Sequence, residues 1–116
     1  MKITSLSQLP SEPMQMEGVV GVTRQVPVGK ADGAPNFSFR VFTVEPGGNT
    51  PYHIHESEHV NYIIQGEGVL VDVNGNQHSV KAGDFGFVEP HEKHQYRNTS
   101  ETEELKFICA VPTQYE

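Results

Sequence analysis

Apolar and polar residues alternate along short segments of this chain, and each segment ends at a turn. Eleven glycines and eight prolines are spread over the 116 residues and divide the apolar stretches into pieces of strand length. No segment keeps a sustained helical spacing of apolar residues or follows a convincing helix cap. The pattern therefore predicts an all-β protein, an antiparallel sandwich or barrel. The predicted strands lie within residues 18–26, 36–48, 60–65, 69–73, 76–80, 85–90, 94–98 and 104–112.

An Asn-Gly pair, Asn74-Gly75, separates two of these apolar segments. Both residue types accept the positive φ that a type I′ turn requires. We therefore predict a β-hairpin with a type I′ turn at this position.

Alternate side chains of a strand share a face, so polar residues indicate which face is outside. In ELKFICAVP the polar residues are Glu104 and Lys106, and in FSFRVFTV they are Ser38 and Arg40. The residues predicted to face inward are therefore Leu105, Phe107, Cys109 and Val111, together with Phe37, Phe39, Val41 and Thr43.

The outward rows predicted in this way are also rich in apolar residues. They contain Phe42, Val44, Tyr62, Ile64 and Ile108. Strands that are apolar on both faces are usually covered on both, and a patch of this kind is too large to leave in water. We therefore predict that a second copy covers this face and that the protein is a homodimer.

Length and composition narrow the class of protein. A chain of 116 residues with a single cysteine indicates one domain without an internal disulfide. The N-terminal residues lack the apolar run of a signal peptide, so we expect a cytoplasmic protein with mobile ends at residues 1–17 and 113–116. A formal net charge of −7 without a basic cluster argues against nucleic-acid and membrane partners. A small molecule, an ion or a second copy is the expected partner.

Three of the six histidines, His53, His55 and His59, fall within YHIHESEH. His53 and His55 are two residues apart, so on a strand both rings leave the same face, about 6 to 7 Å apart at the backbone. Two such rings can converge on one cation with bonds of about 2.0 to 2.2 Å. His59 has the same parity and reaches that site if the chain bends, whereas Glu56 and Glu58 have the opposite parity and are predicted to be exposed. The alternative is a solvated polar loop.

A metal site of this kind needs a fourth group from elsewhere in the chain. The stretch FVEPHEKHQYRN offers His91 and His94. His91 follows a proline in a predicted turn, whereas His94 begins a strand-like segment, so His94 is the better candidate. We interpret His78 and His91 as surface histidines.

These residues resemble the two sequence motifs of the cupin superfamily. The first motif is matched in GGNTPYHIHESEHVNYIIQGEG by Gly47, His53, His59 and Gly66. The second is matched in GDFGFVEPHEKHQYRN by Gly83, Pro90, His94 and Asn98. The resemblance covers about residues 36–112 and implies one cupin domain over residues 1–116, a jelly-roll-like barrel of the double-stranded β-helix type.

His59 stands where the first cupin motif usually has a glutamate. The chain thus resembles small cupins in which four histidines hold the metal, which implies one divalent transition metal per chain on His53, His55, His59 and His94. Four neutral imidazoles leave the metal its full charge of about +2, which favours anionic ligands and lowers the pKa of bound water. The candidate metals are Mn, Fe, Ni, Cu and Zn, and the sequence does not select among them.

Strand parity also predicts the wall of the metal pocket. The predicted lining residues are Phe39, Asn61, Tyr96, Phe107 and Cys109. Ordinary core packing is the alternative for Phe39, Phe107 and Cys109. An amide on an inward face needs a hydrogen-bond partner, which a metal-bound water or substrate would supply to Asn61.

The resemblance specifies the metal site better than it specifies the reaction, because one barrel fold can carry many activities. The first hypothesis is a metal-dependent enzyme of oxygenase type that acts on a small oxygen-rich or carboxylate-containing molecule. The alternatives are a Lewis-acid isomerase or lyase acting on a sugar-like substrate, and a non-catalytic module that binds a small molecule. No nucleophile elbow or phosphate-binding glycine loop is present.

Overall fold

The chain forms strands joined by turns and short loops. The computed structural model describes residues 1–116. The strands are β1 (Glu12–Pro13), β2 (Val20–Val28), β3 (Phe37–Asn49), β4 (His59–Gln65), β5 (Glu67–Val71), β6 (Gln77–Lys81), β7 (Phe85–Val88), β8 (Gln95–Arg97) and β9 (Leu105–Pro112). Short 3₁₀ turns occupy Leu6–Gln8, Lys30–Asp32 and Thr113–Tyr115. No helix has the length and apolar character needed to cross a membrane.

The strands form one curled sheet in which β3 has three neighbours. The sheet runs in the order β6-β5-β8-β3-β9-β4-β7, and β2 pairs with β3 and carries β1 on its other edge. All of these pairings are antiparallel. The all-β prediction is confirmed.

The inward row of β9 is the one predicted from its polar residues. Leu105, Phe107, Cys109 and Val111 are between 0% and 3% exposed. They belong to a cluster of nine buried residues that also contains Val22, Phe42, Val44, Ile63 and Tyr96. Burial of large side chains in this cluster is the main apolar contribution to stability.

The inner face predicted for β3 is wrong for Phe37 and Phe39, whereas Val41 and Thr43 are buried, at 4% and 9% exposed, on the face opposite to Arg40. Phe37 and Phe39 are 66% and 42% exposed, whereas Ser38 and Arg40 are only 0% and 8% exposed. The register with β9 explains the difference, because Arg40 pairs with Cys109 and Phe42 with Phe107. Directly paired residues share a face of the sheet, so the row that contains Ser38 and Arg40 points inward.

The same correction applies to part of the predicted outer face. Phe42 and Val44 are 6% and 0% exposed and belong to the core. Tyr62 stays on the outside and is 36% exposed. The inside of this sheet is therefore partly polar, which the assumption of an apolar interior could not foresee.

The hairpin at Asn74-Gly75 is present, but its predicted type I′ turn is wrong. β5 and β6 pair from Glu67↔Lys81 to Val71↔Gln77. Gly75 has a positive φ of 81°, but Asn74 does not. Asp72 organises the loop instead, because its Oδ1 accepts hydrogen bonds from the backbone N–H groups of Asn74 and Asn76, each at 2.9 Å. An aspartate that binds the following backbone amides stabilises such a turn.

Both ends of the chain contact the sheet. β1 pairs with β2 through Glu12↔Arg24, and the Met14 amide donates to the Val22 carbonyl at 2.9 Å. At the other end, the Glu116 carboxylate accepts hydrogen bonds from the Ser38 hydroxyl at 2.7 Å and the Lys30 amide at 2.8 Å. The first contacts fix the N-terminal segment along β2, and the last ones fix the C-terminal residue beside Ser38 on the inward face of β3.

Two glycines with the same backbone angle test the close packing of the sheet. Gly66 and Gly75 both have φ of +81°, but a Cβ on Gly66 would collide with the Glu104 carbonyl, whereas one on Gly75 would meet nothing within 4 Å. We expect Gly75→Ala to lower the free energy of unfolding by about 1 to 2 kcal/mol, the strain of left-handed backbone. Gly66→Ala adds the collision and should lower it by about 3 kcal/mol or more. Urea unfolding measures both values, and equal losses would contradict the packing described for Gly66.

Candidate metal centre

Two backbone hydrogen bonds bring the two histidine-bearing segments together. His53 and His94 form an isolated antiparallel bridge. Each amide donates to the carbonyl of the other residue, at 3.2 and 3.1 Å. A further bond, from the His91 amide to the His55 carbonyl at 2.7 Å, extends this pairing. Residues about forty positions apart in the sequence are thus fixed side by side before any ligand is considered.

Three imidazoles converge at this junction. The ligand nitrogens of His53, His55 and His94 all lie within 4.8 Å of one another. The Nε2 atoms of His53 and His55 are 2.7 Å apart. Two metal bonds of about 2.1 Å at a right angle place their nitrogens about 3.0 Å apart, so this spacing is close to that of two ligands on one ion.

The Glu92 carbonyl orients the ring of His94. His94 Nδ1 lies 2.8 Å from this oxygen, and because a carbonyl only accepts, Nδ1 carries the proton and donates. The neutral ring then presents Nε2 as its free lone pair. An outer hydrogen bond of this kind commonly fixes the tautomer of a metal-binding histidine.

His59 lies beside the three converging rings but outside their group. It begins β4, is 8% exposed, and stacks on His55 with ring centroids 3.9 Å apart. Its Nδ1 is 3.2 Å from Cys109 Sγ. The structure thus brings together three of the four predicted ligands, and the role of His59 as the fourth stays a prediction.

Burial keeps these rings in their neutral form. It is the largest cause that lowers the pKa of His55 to about 3, followed by the charges of His94, His53 and Arg40. Burial also lowers the pKa of His59 to about 3, with His55 as the next cause, and it lowers the pKa of His53 and His94. Neutral imidazole is the form that binds metals, so the cluster needs no deprotonation at neutral pH.

The histidines line a cavity of about 290 Å³ inside the curled sheet. Of the five predicted pocket residues, Asn61, Tyr96, Phe107 and Cys109 line it. Phe39 does not, because it lies on the outer face of β3. The residues that the sequence prediction missed are Met14, Met16, Arg24, Arg40, Phe42, Thr50, Pro51, Ser57, Tyr115 and Glu116.

Asn61 has a protein partner for its side-chain oxygen, and its contact with a metal-bound water or a substrate stays a prediction. The Tyr96 hydroxyl donates to Asn61 Oδ1 at 3.0 Å, and Asn61 is 2% exposed. Burial, followed by the nearby Cys109, raises the pKa of Tyr96, so the phenol stays protonated and remains a donor. This pair gives the cavity a fixed polar wall.

The donor set fits a divalent transition metal. Three neutral imidazoles with converging nitrogens suit Zn, Cu, Fe and Ni, and no carboxylate belongs to the group. His55 Nδ1 is buried and has no hydrogen-bond partner, so nothing fixes its tautomer within the protein. A metal on His55 Nε2 would leave the proton on Nδ1, since the two nitrogens of a neutral ring divide these roles.

The family model for the cupin domain matches residues 40–111. The chain belongs to the cupin family. The predicted double-stranded β-helix barrel is confirmed by this match and by close structural similarity to solved members of the family.

The names of the proteins similar to this cupin refer to different ligands and activities. A protein named oxalate-binding protein from Thermotoga maritima is 38% identical over 74 residues, which are 63% of this chain and 60% of that protein. The match thus spans less than two thirds of that relative. The polyketide cyclase RemF from Streptomyces resistomycificus has a TM-score of 0.91 and 28% identity, covering 97% of this chain and 80% of that one. A predicted oxalate decarboxylase from Thermotoga maritima has a TM-score of 0.83 and 28% identity, covering 97% and 99%.

Single histidine substitutions test the metal centre. We expect His53→Ala, His55→Ala and His94→Ala each to weaken metal binding by about 100-fold or more, because loss of a direct ligand exceeds the 10- to 100-fold effect of an outer partner. The measurement is metal content of untagged protein after dialysis, with titration by zinc. His78→Ala is the matched control, since that ring is exposed and binds Asp72.

His59→Ala decides between three and four ligands. A loss of affinity similar to that of His94→Ala would support the four-histidine set. Unchanged affinity would restrict the ligands to His53, His55 and His94.

Proposed function

We propose that this cupin is a metal-dependent enzyme of oxygenase type that acts on a small oxygen-rich or carboxylate-containing molecule. The observation that carries this proposal is the convergence of three imidazoles in an open cavity. A divalent transition metal held there by His53, His55 and His94, with His59 as the proposed fourth ligand, would polarise substrate oxygens and, if redox-active, exchange electrons with them.

The cavity supports a small substrate. About 290 Å³ is at the lower end of the range for ligand pockets. Part of the cavity wall is apolar and is formed by Phe42, Phe107 and the two methionines of the N-terminal segment. The Tyr96–Asn61 pair adds fixed polarity. A compact molecule with several oxygens matches this lining better than a long apolar chain.

The protein offers no free carboxylate for proton transfer in this cavity. Glu116 is the single acidic residue of the lining. Its carboxylate is held by the Ser38 hydroxyl and the Lys30 amide, and it faces Arg24 at 4.0 Å. Because the cavity lacks a positioned acid or base, the metal would have to carry out the reaction. This lack favours an oxygenase-type reaction over one that depends on proton transfer by a side chain.

The names of the relatives favour a second candidate, a non-oxidative Lewis-acid reaction. A polyketide cyclase and a predicted oxalate decarboxylase are each 28% identical to this chain, and neither name refers to an oxygenase. Polarisation of a substrate carbonyl or carboxylate by the metal would suffice for such a reaction.

Oxygen consumption separates the two reactions. Protein purified without a histidine tag would be loaded with Fe(II), Mn(II), Ni(II), Cu(II) or Zn(II) and mixed with 2-oxo acids, catechols and β-diketones. We expect oxygen uptake with a redox-active metal and its loss in His94→Ala. Turnover without oxygen and with Zn(II) would support the Lewis-acid reaction instead, and failure to retain any of the metals would overturn both.

We also infer that two copies pair through the outer face of four strands. Tyr62 on β4 pairs with Phe85 on β7 and with Ile108 on β9. Val60 pairs with Phe87 and Ala110 in the next row. Phe85 and Phe87 are 75% and 62% exposed. These residues, with Phe39 beside Ala110, form one contiguous apolar surface, and a second copy of the same surface is its simplest cover.

Charged substitutions on this surface test the dimer. We expect sedimentation velocity to give a dimer at micromolar concentration for the unmodified protein and a monomer for Phe87→Asp. Val73→Asp is the control, because Val73 is similarly exposed, at 59%, but lies in the β5–β6 loop. Sedimentation of the unmodified protein as a monomer would contradict the inferred dimer.

A further inference from the structure

Arg40 is a buried cation without a counter-charge in contact. It is 8% exposed, lies on β3 and lines the cavity. The ion pairs of the structure involve Lys2, Arg24, His78 and Lys81, and none involves Arg40. Arginine cannot lose its proton under ordinary conditions, so the positive charge stays inside the barrel.

The contacts of the guanidinium leave part of its donor capacity unused. One terminal nitrogen donates to Cys109 Sγ at 3.0 Å, and sulfur is a weak acceptor. The Cζ atom lies 5.1 Å from the centre of the Phe42 ring. The Nε–H group is buried and has no partner. A buried donor without an acceptor is costly, so an oxygen acceptor at this nitrogen would stabilise the guanidinium.

Short contacts connect Arg40 to the histidines. Cys109 Sγ accepts from Arg40 and lies 3.2 Å from His59 Nδ1. His59 in turn stacks on His55 at 3.9 Å. The guanidinium and the imidazole cluster thus share one cavity, and a divalent metal would add a second positive centre to it. The nearby carboxylate of Glu116 is already bound by Ser38 and Lys30.

We propose that Arg40 is the specificity-determining residue of this cavity and that it binds a carboxylate group of the substrate. The planar guanidinium matches a carboxylate, which can accept from Nε and from a terminal nitrogen at once. This inference rests on the proposed function, since it names the chemical class of the substrate that enters the same cavity. The ligand supplies the negative charge that the protein omits.

Affinity for a charged ligand and for its neutral analogue tests this role. Oxalate and its diamide, oxamide, have similar size and differ in charge. In zinc-loaded protein we expect Arg40→Gln to weaken oxalate binding by about 10- to 100-fold, the usual range for a hydrogen bond to a charged group. Oxamide binding should change by less than about twofold. Isothermal titration measures both affinities, and Arg40→Lys, which keeps the charge but loses the planar fork, should recover part of the loss.

Arg97→Gln is the matched control. It removes the same charge from β8, the strand that carries Tyr96, but Arg97 is exposed and does not line the cavity. We expect its oxalate affinity to equal that of the unmodified protein. If Arg97→Gln and Arg40→Gln weaken oxalate binding equally, the loss of affinity comes from the overall charge of the protein, and the proposal is overturned.

Two further measurements separate this inference from the proposed function. Zinc content should be unchanged in Arg40→Gln, and loss of zinc there would show a structural role and contradict the proposal. Oxalate binding is also measured without metal. If the unmodified protein retains no metal but still binds oxalate in a manner dependent on Arg40, the proposed function fails and the carboxylate site stands. If it binds zinc but prefers oxamide to oxalate, the carboxylate site fails alone.

Thermal unfolding keeps the test informative if the variant is unstable. We expect metal-free Arg40→Gln to unfold at the same or a higher temperature, because substitution removes an uncompensated buried charge. At the same concentration, oxalate should raise the unfolding temperature of the unmodified protein more than that of Arg40→Gln. An equal rise in both would contradict carboxylate binding by Arg40.

Discussion

The pair of backbone hydrogen bonds between His53 and His94 is the constraint on which the candidate centre depends. These bonds join the segment before β4 to the segment before β8. With the backbone fixed, His55 follows two residues after His53, and its Nε2 comes within 2.7 Å of that of His53. The imidazoles therefore converge because of the fold, and burial keeps them neutral. A site prepared in this way loses little conformational freedom when it binds a ligand.

The barrel interior is divided between an apolar core and a polar cavity, and Cys109 lies at the boundary. Cys109 belongs to the core cluster, and its sulfur contacts both Arg40 and His59. Burial raises the pKa of this thiol, and the opposing effect of Arg40 is smaller. The Cys109 thiol is therefore neutral, and it separates the Arg40 guanidinium from the His59 ring without adding a negative charge. A carboxylate at this position would neutralise Arg40 and remove its free binding capacity.

The sequence predicted the parts of the fold that depend on local pattern. Alternation in β9 identified its inward row. The spacing of His53 and His55, together with the strand-like segment that begins at His94, indicated the three imidazoles that converge. The prediction failed where the interior is polar, as at Arg40 and Ser38, because alternation shows two faces but does not say which one is inside. Only the register Arg40↔Cys109 between β3 and β9 settles that choice. The turn at Asn74-Gly75 failed for a different reason, since the Asp72 side chain binds the loop amides and selects another geometry.

The charge of the whole molecule and the charge of its cavity have opposite signs. The chain carries a formal net charge of −7, which by itself repels an anionic ligand. At physiological ionic strength the field of exposed charges decays over about 8 Å, so the surface acts weakly on a ligand that has entered the barrel. Inside, Arg40 and a metal held by the histidines would act across short distances in a medium of lower polarity, where each interaction is several times stronger. For the proposed carboxylate ligand, the short-range attraction would therefore dominate the binding equilibrium, whereas the negative surface would mainly slow the approach of the anion.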